Sequence, residues 1–137
     1  MRLAVLLALA VATGTVCAGV TPEQLAELYA KPSAFEIDIP LSQHIAESEN
    51  AFAVRDKYPA APIHILIISK KKIPTILQVS PELIAEMIEL AKRVAKQEGL
   101  ETDGFRLVIN TNPVGGQSVY HFHIHVLGGR QMKWPPG

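Results

Sequence analysis

A single cysteine, Cys17, excludes an internal disulfide and any metal site assembled from several thiolates. No excess of either charge exists: thirteen Lys plus Arg balance thirteen Asp plus Glu. That excludes a protein that works by coating nucleic acid or an anionic membrane with positive charge. Aromatic residues are scarce at 6%, and neither a repeat nor a low-complexity linker divides the chain. Its 137 residues leave room for one domain, and a hydrophobic fraction of 48% excludes a disordered chain. Against these absences stands one concentration. Of five histidines, three fall within residues 121–125.

Acidic residues are missing before Glu23, and Arg2 is the one charge in residues 1–18. Fourteen of those eighteen residues are hydrophobic, with an unbroken apolar run over Leu3–Ala12. A basic start, a short apolar run and Val16-Cys17-Ala18 predict a secretory signal cleaved after Ala18, hence an exported protein, periplasmic or secreted. The competing reading, an uncleaved anchor over Leu3–Val20, is diluted by Thr13, Gly14 and Thr15. Cleavage would remove the cysteine and leave no stable membrane association. Residues 19–33 then form an N-terminal extension with one short helix, and residues 34–137 the domain proper.

Thr21-Pro22-Glu23-Gln24 has the form of a capping box and predicts a helix to about Lys31. Ala51–Arg55 is a short strand candidate. Ile63–Ile68 is β-branched and apolar on both faces, as a central strand requires. Ser80 and Pro81 start a long helix that Gly99 ends; Leu83, Ile84, Met87, Ile88, Ala91, Val94 and Ala95 form its apolar stripe, opposite a solvated charged face. Phe105–Asn110 and Ser118–Leu127 are further strands, separated by the loop residues Pro113-Val114-Gly115-Gly116. The expected class is α+β, a sheet with one long helix packed on a face.

In His121-Phe122-His123-Ile124-His125-Val126-Leu127 polar and apolar residues alternate strictly. On a strand this projects three imidazoles from one face, roughly 6.5–7 Å apart, with the apolar residues behind them. Buried imidazoles require partners, so three in register point to function more than to packing. His-x-His pairs can ligate zinc; imidazoles near neutrality can also act as nucleophile and acid–base on a phosphoryl group. Gly115-Gly116-Gln117-Ser118 decides for the second, since glycine backbone, an amide and a hydroxyl suit an anion and give a metal cage nothing. No metal or other cofactor is expected.

The run Gly115–Met132, with Trp134-Pro135-Pro136-Gly137 after it, closely resembles the histidine triad (HIT) family, in its nucleotide-binding, purine nucleoside phosphoramidase branch. Upstream, Ala61-Pro62-Ile63-His64 resembles that family's Ala-Pro-x-His strand, so the resemblance covers roughly Ala34–Gly137. It implies a homodimer whose ten-stranded sheet continues across the subunits. It also implies hydrolysis of purine nucleoside 5′-phosphoramidates to the monophosphate and an amine. By position, His123 matches the nucleophile that forms a nucleotidyl-histidine, and His125 a phosphate contact and proton handler. His121 matches the residue that fixes the nucleophile's tautomer, with His64 behind it. Gln117 and Ser118 match phosphate and leaving-group contacts, Gly116 a backbone contact, Asn110 a residue near sugar and phosphate, and Asp56 the carboxylate on the ribose hydroxyls.

This chain departs from the family pattern at Lys72 and Lys133, where relatives carry histidine, and at Lys57, where an apolar residue lines the base pocket. His44 matches nothing and reads as a surface histidine. Two other functions fit the same residues: a nucleotide-binding interaction module with vestigial chemistry, and a dinucleoside polyphosphate hydrolase.

Overall fold

The computed structural model describes residues 19–137; the expected signal, residues 1–18, lies outside the described residues. Helix α1, Pro22–Ala30, starts as the capping box requires: Thr21 Oγ1 accepts from the Gln24 N–H, and Gln24 Oε1 accepts from the Thr21 N–H. Between Pro32 and Pro40 lies the short helix α2, Ala34–Asp38, capped by Ser33. Five strands follow: β1 (Ala46–Glu47), β2 (Ala51–Arg55), β3 (Ile63–Ser69), β4 (Arg106–Val108) and β5 (His123–Gly128). They form one antiparallel sheet in the order β1-β2-β3-β5-β4, which puts β3 and β5 inside and β4 at an edge.

Helix α3, Pro81–Gln97, connects β3 to β4 and covers one face of this sheet. Ser80 Oγ accepts from the Leu83 N–H at its start, and Gly99 takes φ +73° just past its end, a conformation glycine adopts freely. Met87, Leu90, Ala91, Val94 and Ala95 of the helix bury against Ala51, Ala53, Ile65, Ile67, Ile124 and Val126 of the sheet. The helix's charged side is not wholly solvated, contrary to expectation. Glu86 Oε1 accepts from the Ser48 hydroxyl at 2.5 Å and the Asn50 N–H at 2.7 Å, tying the β1–β2 turn to the helix. Among the described residues no helix is long and apolar enough to cross a membrane.

Two strands are shorter than the sequence predicts. The fourth covers Arg106–Val108 within the expected Phe105–Asn110. The last begins at His123, five residues after the expected Ser118, because the β3 ladder runs out at the Ile68–His123 pair. Beyond it the Phe122 N–H donates to the Ile73 carbonyl at 2.6 Å, so residues 118–122 leave the sheet.

Candidate active site

The face of the sheet opposite α3 carries His64 and Leu66 on β3 and His123 and His125 on β5; Leu66 pairs directly with His125, and Ile68 with His123. Phe52, Val54, Leu66 and Ile68 make a small apolar floor here, against which Phe35 and Ile39 pack. Above it opens a cavity of about 530 Å³ lined by Phe35, Val54, Asp56, Lys57, Ser118, His123 and His125 among others.

Hydrogen bonds fix the tautomer of each imidazole. His123 Nδ1 lies 2.6 Å from the His121 carbonyl oxygen, which only accepts, so Nδ1 carries the proton and the Nε2 lone pair is free. His121 Nε2 lies 2.5 Å from the Ser69 carbonyl oxygen and therefore carries its proton there. Its Nδ1, 2.6 Å from Ser33 Oγ, accepts from that hydroxyl. His64 Nδ1 accepts from the Ala60 N–H at 3.0 Å, which leaves the His64 proton on Nε2. That proton points at His125 Nδ1, 2.9 Å away, with Asp56 Oδ2 at 3.4 Å. His125 is thus left with Nε2–H as its free edge, a donor.

Burial lowers the pKa of all three triad histidines. In His123 desolvation is the largest cause, opposed by the bond to the His121 carbonyl. In His121 desolvation again leads, opposed by the Ser69 bond. His125 falls to about 4, through burial first and then the neighbouring His123 and His64. At neutral pH the pair facing the cavity is therefore one uncharged lone-pair donor and one uncharged N–H donor.

Several expected positions differ. His64 lies beside His125 and Asp56, not behind His121. His121 reaches His123 through its backbone carbonyl, while its ring is buried at 1% exposure beneath Phe35. Gly116 needs glycine, with φ +83°, but its N–H donates to the Pro113 carbonyl and the Gln117 N–H to the Asn112 carbonyl, so neither is free for an anion. Gln117 turns inward: its amide donates to the Pro74 and Val119 carbonyls and its oxygen accepts from the Asn112 N–H. The loop braces itself and presents Ser118, whose hydroxyl has no partner among the described residues. Asn110 is half-buried beneath Gly116, 4.0 Å from where a Cβ there would stand.

Asp56 is more than a solvated acid. Its Oδ1 accepts from the Tyr58 N–H at 2.7 Å, and its side chain is 17% exposed on the cavity wall beside Lys57. His44 is no free surface histidine either: it stacks on Phe52 with ring centroids 4.1 Å apart and reaches Glu47 at 2.7 Å.

Asp56, His64 and His125 offer ligand atoms within 4.8 Å of one another, a spacing open to a metal ion. Their hydrogen bonding does not fit one. With Ala60 donating to His64 Nδ1, His64 Nε2 bears a proton and has no lone pair for an ion, and the same proton occupies His125 Nδ1.

Two contributors escaped sequence reasoning. Ser33, at 2% exposure, and Phe35, whose ring stands edge-on to His123 at 5.0 Å, come from the chain before the motif. Phe35, an aromatic residue enclosed by Pro32 and Pro40, was a readable hint; Ser33 carried none.

A family model described as the HIT domain matches residues 39–132. Over 94 residues the chain is 47% identical to a purine nucleoside phosphoramidase of Escherichia coli, covering 66% of this chain and 79% of that protein. It is 41% identical over 122 residues to adenylylsulfatase HINT1 of Arabidopsis thaliana, covering 85% of this chain and 80% of that one. A crystal structure of a HIT family hydrolase from Legionella pneumophila Philadelphia 1 superposes with a TM-score of 0.69 at 50% identity, covering 76% of this chain and 95% of that chain.

Proposed function

This chain belongs to the HIT domain family, and from that premise we propose that it hydrolyses purine nucleoside 5′-phosphoramidates to the nucleoside monophosphate and an amine. The observation that carries this reading is the tautomer of His123, whose proton is held on Nδ1 by the His121 carbonyl so that Nε2 faces the cavity as an uncharged nucleophile. Attack by Nε2 on phosphorus forms the nucleotidyl-histidine as the P–N bond breaks, and the amine leaves neutral with one added proton. Water then attacks the phosphorus, restoring His123; over the cycle it supplies the oxygen on phosphorus and the hydrogen on the amine. The His125 Nε2–H and the Ser118 hydroxyl stand as donors to the phosphoryl oxygens and leaving group. The Asp56 carboxylate suits two vicinal ribose hydroxyls, and Phe35, Val54 and Leu66 suit a base.

Incubation of the full chain with adenosine 5′-phosphoramidate tests the reading: adenosine monophosphate and ammonia appear, and chelators leave the rate unchanged. Tight monophosphate binding without turnover on any phosphoramidate would favour the interaction module, and faster turnover of dinucleoside polyphosphates would move the activity to P–O–P bonds. Two further expectations are proposals. The edge strand β4 suits pairing with a second copy into a ten-stranded sheet, which light scattering reads as a dimer. Export rests on residues 1–18; N-terminal sequencing of the cell-fractionated protein should find Gly19 first, and an intact Met1 in the cytoplasm would overturn it.

A further inference from the structure

The segment before the family match is strapped to the triad at three points. Lys72 Nζ donates to the carbonyls of Tyr29 at 2.8 Å and Lys31 at 2.5 Å. The Tyr29 hydroxyl donates to Asn112 Oδ1 at 2.8 Å, in the loop that presents Ser118, and its ring packs on Tyr120 at 5.6 Å. Ser33 Oγ meets His121 Nδ1 at 2.6 Å, both residues almost fully buried. The lysine at position 72 therefore has a task in this chain: it holds down the strap that delivers Ser33.

We propose that Ser33 is a positioning residue of the site, its hydroxyl donating to His121 Nδ1 so that His121 is locked between Ser33 and Ser69 and its carbonyl orients the His123 nucleophile. Residue 121 lies outside β5, so the sheet does not set its carbonyl. The Phe122 N–H bond to the Ile73 carbonyl fixes the far side of that peptide unit, and the two ring contacts hold His121 on the near side. A serine hydroxyl can donate once: Ser33 also caps α2 by accepting from the Phe35 N–H at 3.2 Å, and the donor side is left for His121. Without the hydroxyl, a buried imidazole nitrogen loses its donor, and His121 gains freedom to exchange tautomers or turn away from Ser69.

The kinetic consequence rests on the phosphoramidase reading; the hydrogen bond itself does not, and the test keeps them apart. Nitrogen-15 spectra of the histidine rings in the full chain should find His121 protonated on Nε2 with Nδ1 a hydrogen-bonded acceptor, and His123 protonated on Nδ1. In Ser33→Ala the His121 Nδ1 resonance moves to that of an unbonded acceptor, and kcat for adenosine 5′-phosphoramidate falls about tenfold with little change in KM. Wild-type His121 protonated on Nδ1 overturns the proposal even if the variant does not fold. So does a Ser33→Ala protein that is less heat-stable but keeps both its His121 resonances and its kcat, since that is what a helix cap alone predicts. A wild-type chain with the expected spectrum and no activity fails the functional reading and leaves the Ser33 bond standing.

Discussion

One sheet presents two faces with opposite economies. Toward α3, Ala51, Ala53, Ile65, Ile67, Ile124 and Val126 are each 0% exposed and wholly apolar. From the same strands, alternate residues turn the other way and give His64, Leu66, Ile68, His123 and His125, with an open cavity in place of a helix. The first face is held by area removed from water; the second spends much of its burial on imidazoles, each of which costs free energy unless its nitrogens are satisfied. The difference teaches how the site is built. Stability and chemistry share a backbone and a two-residue period, yet depend on different side chains, so either can be broken alone.

Removing the proposed nucleophile, His123, is the largest separation available. His123→Ala should lower phosphoramidase kcat by about 10⁴-fold, the scale of a lost covalent catalyst. Its melting temperature should change less than in a core truncation, because the His123 ring makes one carbonyl bond and edge-on contacts with Phe35 and His125 on a face open to the cavity. Activity that survives in this variant removes His123 from the role. Ile67→Ala is the mirror case. It opens a void beneath α3 and should cost about 3 kcal/mol of stability by chemical denaturation while kcat at 25 °C stays near wild type. A large loss of kcat there, in protein still folded, would mean that the two faces are coupled.

How far each face was legible in the sequence follows from the same division. The helix side was legible because its signals are local: the Ser80 cap, Pro81, Gly99 and the period of α3 each act within a few residues. Strand β3 emerged from its β-branched content and the prolines before it, whereas β2 was legible only as a short candidate. On the site side the alternating histidines marked where the site lies and which family the chain belongs to, and their partners did not follow. That His64 meets His125 depends on the β3–β5 register, and that Ser33 meets His121 depends on contact across 88 positions. The glycine loop misled for a related reason: whether its N–H groups are free is settled by its own turn, which closes on Pro113 and Asn112.

Acidity sharpens the contrast, since the buried residues of the α3 face are all apolar and the site face holds the buried titratable groups. His121, His123 and His125 bind protons less readily folded than unfolded, His125 with its pKa near 4 against an ordinary 6.5. Folding therefore excludes protons over that window. The stability that these neutral imidazoles contribute is complete above about pH 6.5 and declines as pH falls from there toward 4. Activity follows the same direction: kcat/KM should hold on its plateau below pH 6.5 and fall with an apparent pKa beneath the ordinary histidine value. A profile that drops with an ordinary histidine pKa would mean that the nucleophile is solvated and the site more open than its burial indicates.

The smallest effect probes the rim of the helix side. Glu86 receives two donors from Ser48 and Asn50 at one oxygen and the Asn50 amide at the other, and these bonds hold its pKa below the usual carboxylate value. Because the folded pKa is the lower one, the contribution is present above pH 4.5 and disappears as pH falls through the folded value. The carboxylate is largely solvated, so water competes for each bond, and Glu86→Ala should cost only about 1 kcal/mol at neutral pH. The cost should shrink toward zero in acid, where the wild-type carboxyl is itself protonated, and kcat should not respond at either pH. The Ser48–Asn50 turn joins β1 to β2, and β2 leads directly to Asp56 on the cavity wall. A rise in KM in Glu86→Ala, without loss of kcat, would therefore show that the helix side positions the Asp56 carboxylate through β2, and the independence of the two faces would have to be given up at that strand.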